Sequence, residues 1–332
     1  MRVTNKMLSN SFLYDMNNNL QGMQTIQQQL SSGKEISKPS DDPFKVARTM
    51  QLNSDIDANT QYNSNIQDTA NWLDTTDTAL GQAGNVLQRV RELLVSSGNA
   101  AYGSQERQSI KDEINQNVNQ FAQILNTNFD GKYIFGGTRG TTKPMETIST
   151  NGNNRLVYYS NNAANPETDI GSKEYDKISS KMSIEISQGV SMNYNVSASD
   201  VVNFKNESGD GCDIRSIFTK LINHLDGKSD DGTTVDTDAV SKLTGDDLTA
   251  ITDSISNLLK VRSETGAKSN RIDAAKDSNE QQNFNMTELL SKTEDIDITQ
   301  KTMEYATAQT VYTAALQTSA RVLQPSLLDY LR

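Results

Sequence analysis

Apolar residues near the start of the chain fall at Leu13, Met16, Leu20, Met23 and Leu30, with Gln27 in the one remaining slot. Steps alternating between three and four residues describe a heptad seam on an α-helix. Gly33 suits the C-cap of that helix. Pro39 imposes an extended approach, and Asp41-Asp42-Pro43 reads as an N-cap followed by proline at the first helical position. The pattern therefore predicts one helix ending near residue 32 and another starting at 43, with Gly33, Pro39, Asp41, Asp42 and Pro43 as the turn and cap residues.

The second helix should be long. No proline occurs between Phe44 and Ser97, and Leu52, Asn59, Ile66, Leu73, Leu80, Leu87 and Leu94 recur every seventh residue. Asn59 in that row could fix register, while Gly81 and Gly84 each weaken the helix by about 1 kcal/mol relative to alanine. A turn at Ser97-Gly98 to Gly103-Ser104 leads to a third helix with the face Ile110, Ile114, Val118, Phe121 and Leu125. The connection is short, so this helix should run antiparallel to the second.

From about 138 to 210 the period changes to two. Leu156-Val157-Tyr158-Tyr159 is β-rich, and the alternating runs Met182, Ile184, Ile186 and Val190, Met192, Tyr194, Val196 flank Gln188-Gly189, which predicts a hairpin. Helical spacing returns at Ile214, Ile217, Phe218, Leu221 and Leu225, and again at Leu248, Ile251, Ile255 and Leu258. Residues 246–323 contain no proline; Gly266 and the polar run 277–283 are the places where a bend is expected. The last helical face carries Ile296, Met303, Ala314 and Leu323, followed by Leu327 and Leu328.

The predicted fold class is mainly α with a β-rich insert. A long antiparallel helical bundle or coiled coil is built by the two terminal regions around a small central β domain. The expected segments are 1–42 and 290–332 for the inner helical layer, 43–137 and 211–289 for the long-helix layer, and 138–210 for the β-rich outer part.

Composition narrows the chemistry. Only 34% of the 332 residues are hydrophobic, and 33 Asn and 22 Gln supply much of the polarity. The formal net charge of −11 and the lack of a Lys/Arg cluster argue against nucleic acid. No apolar run approaches the ~18 residues of a membrane span, and the first 32 residues lack the apolar core of a cleaved secretory signal. A single Cys, Cys212, excludes an internal disulfide and a Cys-rich zinc site. A single His, His224, removes most triads and metal sets. The acidic stretch Asp226 to Asp238 misplaces the ligands and turn glycine of a calcium loop. Gly136-Gly137 lacks the Lys-Ser/Thr of a phosphate loop. The expected catalytic, cofactor and metal residues are therefore none, with no cofactor and no enzyme activity.

The terminal seams are the remaining signal. Ordering about 30 backbone residues costs more than one narrow apolar row returns. Terminal helices of this kind need neighbours from other chains, which is the logic of a polymerising subunit. The expected assembly interface is Leu13, Met16, Leu20, Met23, Leu30, Ile296, Met303, Ala314, Leu323, Leu327 and Leu328.

Specific stretches point the same way. Leu30-Ser31-Ser32-Gly33-Lys34 with Pro39-Ser40-Asp41-Asp42-Pro43 resembles the amino-terminal motif of the flagellin superfamily. Arg107-Gln108-Ser109-Ile110, Asn126-Thr127-Asn128-Phe129-Asp130-Gly131 and the run Arg262 to Arg271 are similar to further family segments, as is the end of the chain from Glu294 to Leu331. Pro43-Phe44 stands where flagellins usually have Ala. Together with Tyr133-Ile134-Phe135-Gly136-Gly137-Thr138 and Ile184 to Val190, it resembles the hook–filament junction branch, the hook-associated protein 3 family, more than flagellin itself.

That resemblance implies an extracellular structural subunit of the bacterial flagellum, exported by the flagellar type III apparatus without a cleaved signal. Its implied partners are hook-associated protein 1, flagellin, copies of itself in a ring and a cytoplasmic export chaperone, with no membrane insertion. A minor flagellin that forms the filament itself is the alternative.

Overall fold

Asp42 starts the longest helix. Its Oδ1 accepts hydrogen bonds from the backbone N–H of Phe44 at 3.1 Å and of Lys45 at 3.0 Å, and Pro43 occupies the first position, where no N–H is needed. The computed structural model describes residues 5–98, 103–150, 152–161, 167–168, 170–206 and 209–322. Within them the helices are α1 (Asn5–Ser32), α2 (Pro43–Ser97), α3 (Ser104–Leu125), α4 (Lys173–Ser179), α5 (Ala198–Val202), α6 (Ile214–Leu225), α7 (Ala239–Thr244), α8 (Asp246–Glu294) and α9 (Ile298–Val322). The strands are β1 (Asn128–Phe129), β2 (Lys132–Tyr133), β3 (Met145–Thr150), β4 (Asn153–Tyr158), β5 (Ser183–Ser187), β6 (Val190–Asn193), β7 (Asn203–Lys205) and β8 (Gly211–Asp213).

The fold is thus mainly α with a small central antiparallel β region. The chain divides into two compact units, one of residues 1–60 with 281–332, the other of residues 61–280.

In the larger unit the seven-residue leucine row is the core. Leu80, Leu87 and Leu94 are fully buried and Leu73 nearly so. They pack with Ile114, Val118 and Phe121 of α3, Phe218 and Leu221 of α6, and Leu258 of α8 in two clusters, Leu73 lying in the smaller with Ile272. Gly84 permits the close approach of α8: a Cβ there would lie 3.2 Å from Leu258 Cδ2. Beside it, Arg262 pairs with Asp77 through Nε at 2.8 Å and Nη2 at 3.0 Å.

The strands form four separate antiparallel pairs: β1–β2, β3–β4, β5–β6 and β7–β8. The hairpin expected across Gln188-Gly189 is β5–β6, with Gly189 at φ 71° and a register shift between Glu185 and Ser187. Among the described residues the pairs share their hydrophobic core with the helices. Met145, Leu156 and Tyr158 enter the main helical cluster, and Ile186 and Met192 join Ile66, Leu73 and Ile272.

α8 runs unbroken through Gly266 and residues 277–283, the two places where a bend is expected. The reason is that its inward row continues through both places, as Ile251, Leu258, Thr265, Ile272 and Asn279. Asn279 lies within the polar run but donates from Nδ2 to the Ile186 carbonyl at 2.8 Å. The break falls instead at 295–297. Asp297 Oδ1 accepts from the N–H groups of Thr299 at 2.8 Å and Gln300 at 3.1 Å, which restarts the chain as α9.

Candidate assembly interface

The smaller unit joins the two ends of the chain, with α1 packed on α9. Their contact follows heptad rows. Phe12, Met16, Asn19, Met23, Ile26 and Leu30 are the half-buried row of α1, and Tyr305, Ala308, Tyr312 and Ala315 lie in that of α9. Both rows advance in alternating steps of three and four, as two helices in knobs-into-holes contact require.

The expected interface residues divide between two faces. Met16, Met23 and Leu30 lie in the half-buried row, and Ile296, in the link before α9, is half-buried too. Leu13 is 43% exposed, Leu20 37% and Met303 61%, and Ala314 is also exposed. Leu323, Leu327 and Leu328 lie outside the described residues. The pair therefore carries a second apolar row beside the one it uses internally. Sequence reasoning missed Phe12 and Ile26, although their spacing from Met16, Met23 and Leu30 carries the signal. No residue of α1 or α9 whose burial is described is fully buried.

The turn that carries the family-like motif is tied to the link between α8 and α9. Gly33 adopts φ 74°, a left-handed conformation that closes α1. Its N–H donates to the Gln29 carbonyl at 2.8 Å, and its carbonyl accepts from Ile296 N–H at 3.1 Å. Glu35 N–H donates to the Glu294 carbonyl at 2.6 Å, and Lys34 pairs with Glu294 at 2.5 Å. Asp41 Oδ2 accepts from the N–H groups of Lys38 at 3.0 Å and Ser37 at 3.3 Å, which folds the stretch around Pro39. Lys45 of α2 reaches back to Glu35 at 2.8 Å. The turn therefore fixes α1 by backbone pairing.

The two residues with catalytic potential have structural surroundings. His224 is 2% exposed on α6. Its Nδ1 lies 2.6 Å from Asp247 Oδ2 and its Nε2 3.0 Å from Asp230 Oδ1, so both ring nitrogens are engaged. Hydrogen bonds from His224 and Lys220 hold the Asp230 carboxyl well below the usual range, while burial pushes that of Asp247 up. The arrangement ties the 226–238 loop to α6 and α8. Burial raises the Cys212 thiol above its ordinary value, which disfavours a nucleophilic thiolate. Among the described residues no helix is long and apolar enough to cross a membrane.

Comparison with known proteins matches this organisation. The family model of the bacterial flagellin N-terminal helical region covers residues 3–140, and that of the bacterial flagellin C-terminal helical region covers residues 248–331. A flagellin from Clostridium tyrobutyricum is 30% identical over 140 residues, which is 42% of this chain and 37% of that protein. The chain thus spans little more than a third of that relative. A flagellin from Bacillus subtilis is 23% identical over 310 residues, 92% of this chain and 90% of that one.

Two solved structures share the fold. A putative flagellar hook-associated protein from Vibrio parahaemolyticus superposes with a TM-score of 0.60 at 19% identity, covering 77% of this chain and 100% of its own. Flagellar hook associated protein-3 from Legionella pneumophila gives 0.58 at 16% identity, covering 73% and 98%. With flagellin helical regions at both ends enclosing a fold shared by hook-associated proteins, the chain belongs to the flagellin superfamily.

Proposed function

We propose that the chain is a structural subunit of the bacterial flagellum, without catalytic activity, that joins hook-associated protein 1 on one side to the flagellin filament on the other. The observation that carries this reading is the α1–α9 pair: helical, sparsely buried, and bearing apolar side chains outside its internal contact. A pair built in this way gains from burial against further chains. Leu13, Leu20, Met303 and Ala314 supply the outward row, and copies of the chain assemble in a ring. Before export through the flagellar type III apparatus, a cytoplasmic chaperone covers the carboxy-terminal helix.

Coverage of nearly the whole of the hook-associated structures supports a junction role. The full-length match to the Bacillus subtilis flagellin favours a second reading, a minor flagellin in the filament itself. Immunogold labelling of purified flagella with antibody to the 150–210 region separates the two. Label confined to the distal end of the hook is the expected result; label along the filament would establish the minor flagellin instead.

A further inference from the structure

The larger unit contains a second feature that assembly through the termini does not use. Trp72 of α2, Phe129 of β1 and Tyr194, which follows β6, line a cleft of about 610 Å3 together with Asp68, Asp130 and Lys132. That volume lies within the range of small-ligand sites, roughly 300–1,000 Å3. Trp72 stands nearly perpendicular to each of the other two rings. Trp72 and Phe129 have centroids 6.1 Å apart and planes at 86°; Trp72 and Tyr194 are 5.7 Å apart at 82°.

The polar groups differ in their surroundings. Trp72 is 7% exposed, and its indole Nε1 is buried with no hydrogen-bond partner. Asp68 and Asp130 are exposed at the edge of the cleft. Asp130 sits at φ 49° in the β1–β2 turn, a left-handed position that Asp, like Asn, adopts more readily than most residues. That turn is fixed by Gly131 N–H donating to Asn128 Oδ1 at 3.0 Å.

The chemistry selects one class of ligand. With Trp72 set across the other two rings, the three cannot all stack on one flat molecule, but rings lining one cleft can meet a compact cation through their electron-rich surfaces. Two carboxylates against the single Lys132 give the lining a net negative charge. A bare –NH3+ group needs three acceptors to replace its water; the exposed Asp68 and Asp130 at the edge can supply some of them, but the aromatic walls supply none. An alkylated ammonium is weakly hydrated and presents methyl groups to the rings.

We propose that the cleft between α2, the β1–β2 turn and the β5–β6 hairpin, walled by Trp72, Phe129 and Tyr194 and edged by Asp68 and Asp130, binds an alkylated ammonium group. The group is either a free small molecule or the end of a methylated lysine side chain on a protein.

Trp72 is the only tryptophan in the chain, so its emission reports on this cleft directly. The full chain is titrated with choline, with the neutral carbon isostere of choline, and with a short peptide carrying trimethyllysine. The expected result is a saturable change in Trp72 emission with choline or the peptide, and a response to the isostere at least about tenfold weaker. Binding of choline alone assigns a free ligand, and binding of the peptide alone assigns a protein-borne one; either supports the site. Phe129→Leu should weaken binding by about 2- to 30-fold with helicity unchanged. Should that variant lose helicity, Asp130→Asn carries the same test, because Asn tolerates the left-handed turn position. No saturable change with either cation would overturn the proposal. So would an equal response to the neutral isostere, or undiminished affinity in a folded variant.

Discussion

Replacing Leu80 by alanine tests how the long-helix core is held. Leu80 has no exposed surface and lies in the row that contacts α3 and α8 across the larger unit. The substitution removes the outer part of a fully buried side chain and leaves a cavity in a tightly packed helical layer. Such changes cost about 2–5 kcal/mol, the spread reflecting how far the surroundings collapse. For a cooperative unit of about 220 residues, at roughly 2–4 °C per kcal/mol, that predicts a fall in melting temperature of about 4–20 °C. Leu80→Asp should be worse, since it buries a carboxylate in an apolar cluster.

The matched control is Leu20→Ala, on the outward row of α1. At 37% exposed, Leu20 is only partly covered inside one chain, so the change should cost about 1 kcal/mol or less, well below the cost at Leu80. Both variants are measured as isolated chains by circular dichroism during heating and by urea titration. Attachment to purified hooks is then assayed for each below its own melting temperature. Leu80→Ala should lose stability but retain attachment, whereas Leu20→Ala should keep stability and lose attachment. An unchanged melting temperature for Leu80→Ala would refute the core assignment, and equal destabilisation by Leu20→Ala would place the outward row inside the monomer core.

The two glycines of α2 should respond in opposite directions: Gly81→Ala, whose Cβ would rest 3.7 Å from Arg262 Cζ, should stabilise by about 0.5–1 kcal/mol. Gly84→Val forces Leu258 aside and should destabilise by about 1–3 kcal/mol, as read from urea midpoints. Burial pushes the Asp226 carboxyl up, but Lys111 at 2.7 Å and Asn153 at 3.1 Å more than offset it, leaving it below the ordinary aspartate value of 3.8. Its stabilising contribution is therefore present above that pH and lost as the pH falls through the lower folded-state value. Asp226→Asn should cost about 1–3 kcal/mol at neutral pH, and its deficit should shrink in acid; a deficit independent of pH would contradict the ion pair. Amide exchange in the isolated chain should be fast throughout α1 and α9 and slow along residues 61–97 of α2. A chain truncated after Met286 should stay folded yet fail to join hooks to filaments, and slow exchange in both terminal helices of a confirmed monomer would sink this reasoning.

Local rules written into the sequence determined most of the helical plan. Pro43 after Asp42 starts α2 because proline needs no N–H partner there and aspartate caps the first turn. The leucines from 73 to 94 are buried because a seven-residue repeat returns each to the same face. The Gln188-Gly189 hairpin was legible because alternation and a glycine turn are both local.

Tertiary structure decided what periodicity leaves degenerate. Leu13 and Phe12 are neighbours on the same helix, and apolar spacing alone cannot say which of two adjacent rows faces α9 and which stays open to another chain. Gly266 weakens a helix locally, but α8 continues unbroken through it because Thr265 is buried and Ile272 and Asn279 are held by partners far away in sequence. The aromatic cleft was invisible for the same reason. Trp72, Phe129 and Tyr194 are separated by more than fifty residues at each step, and only the packing of α2 against two hairpins brings their rings together.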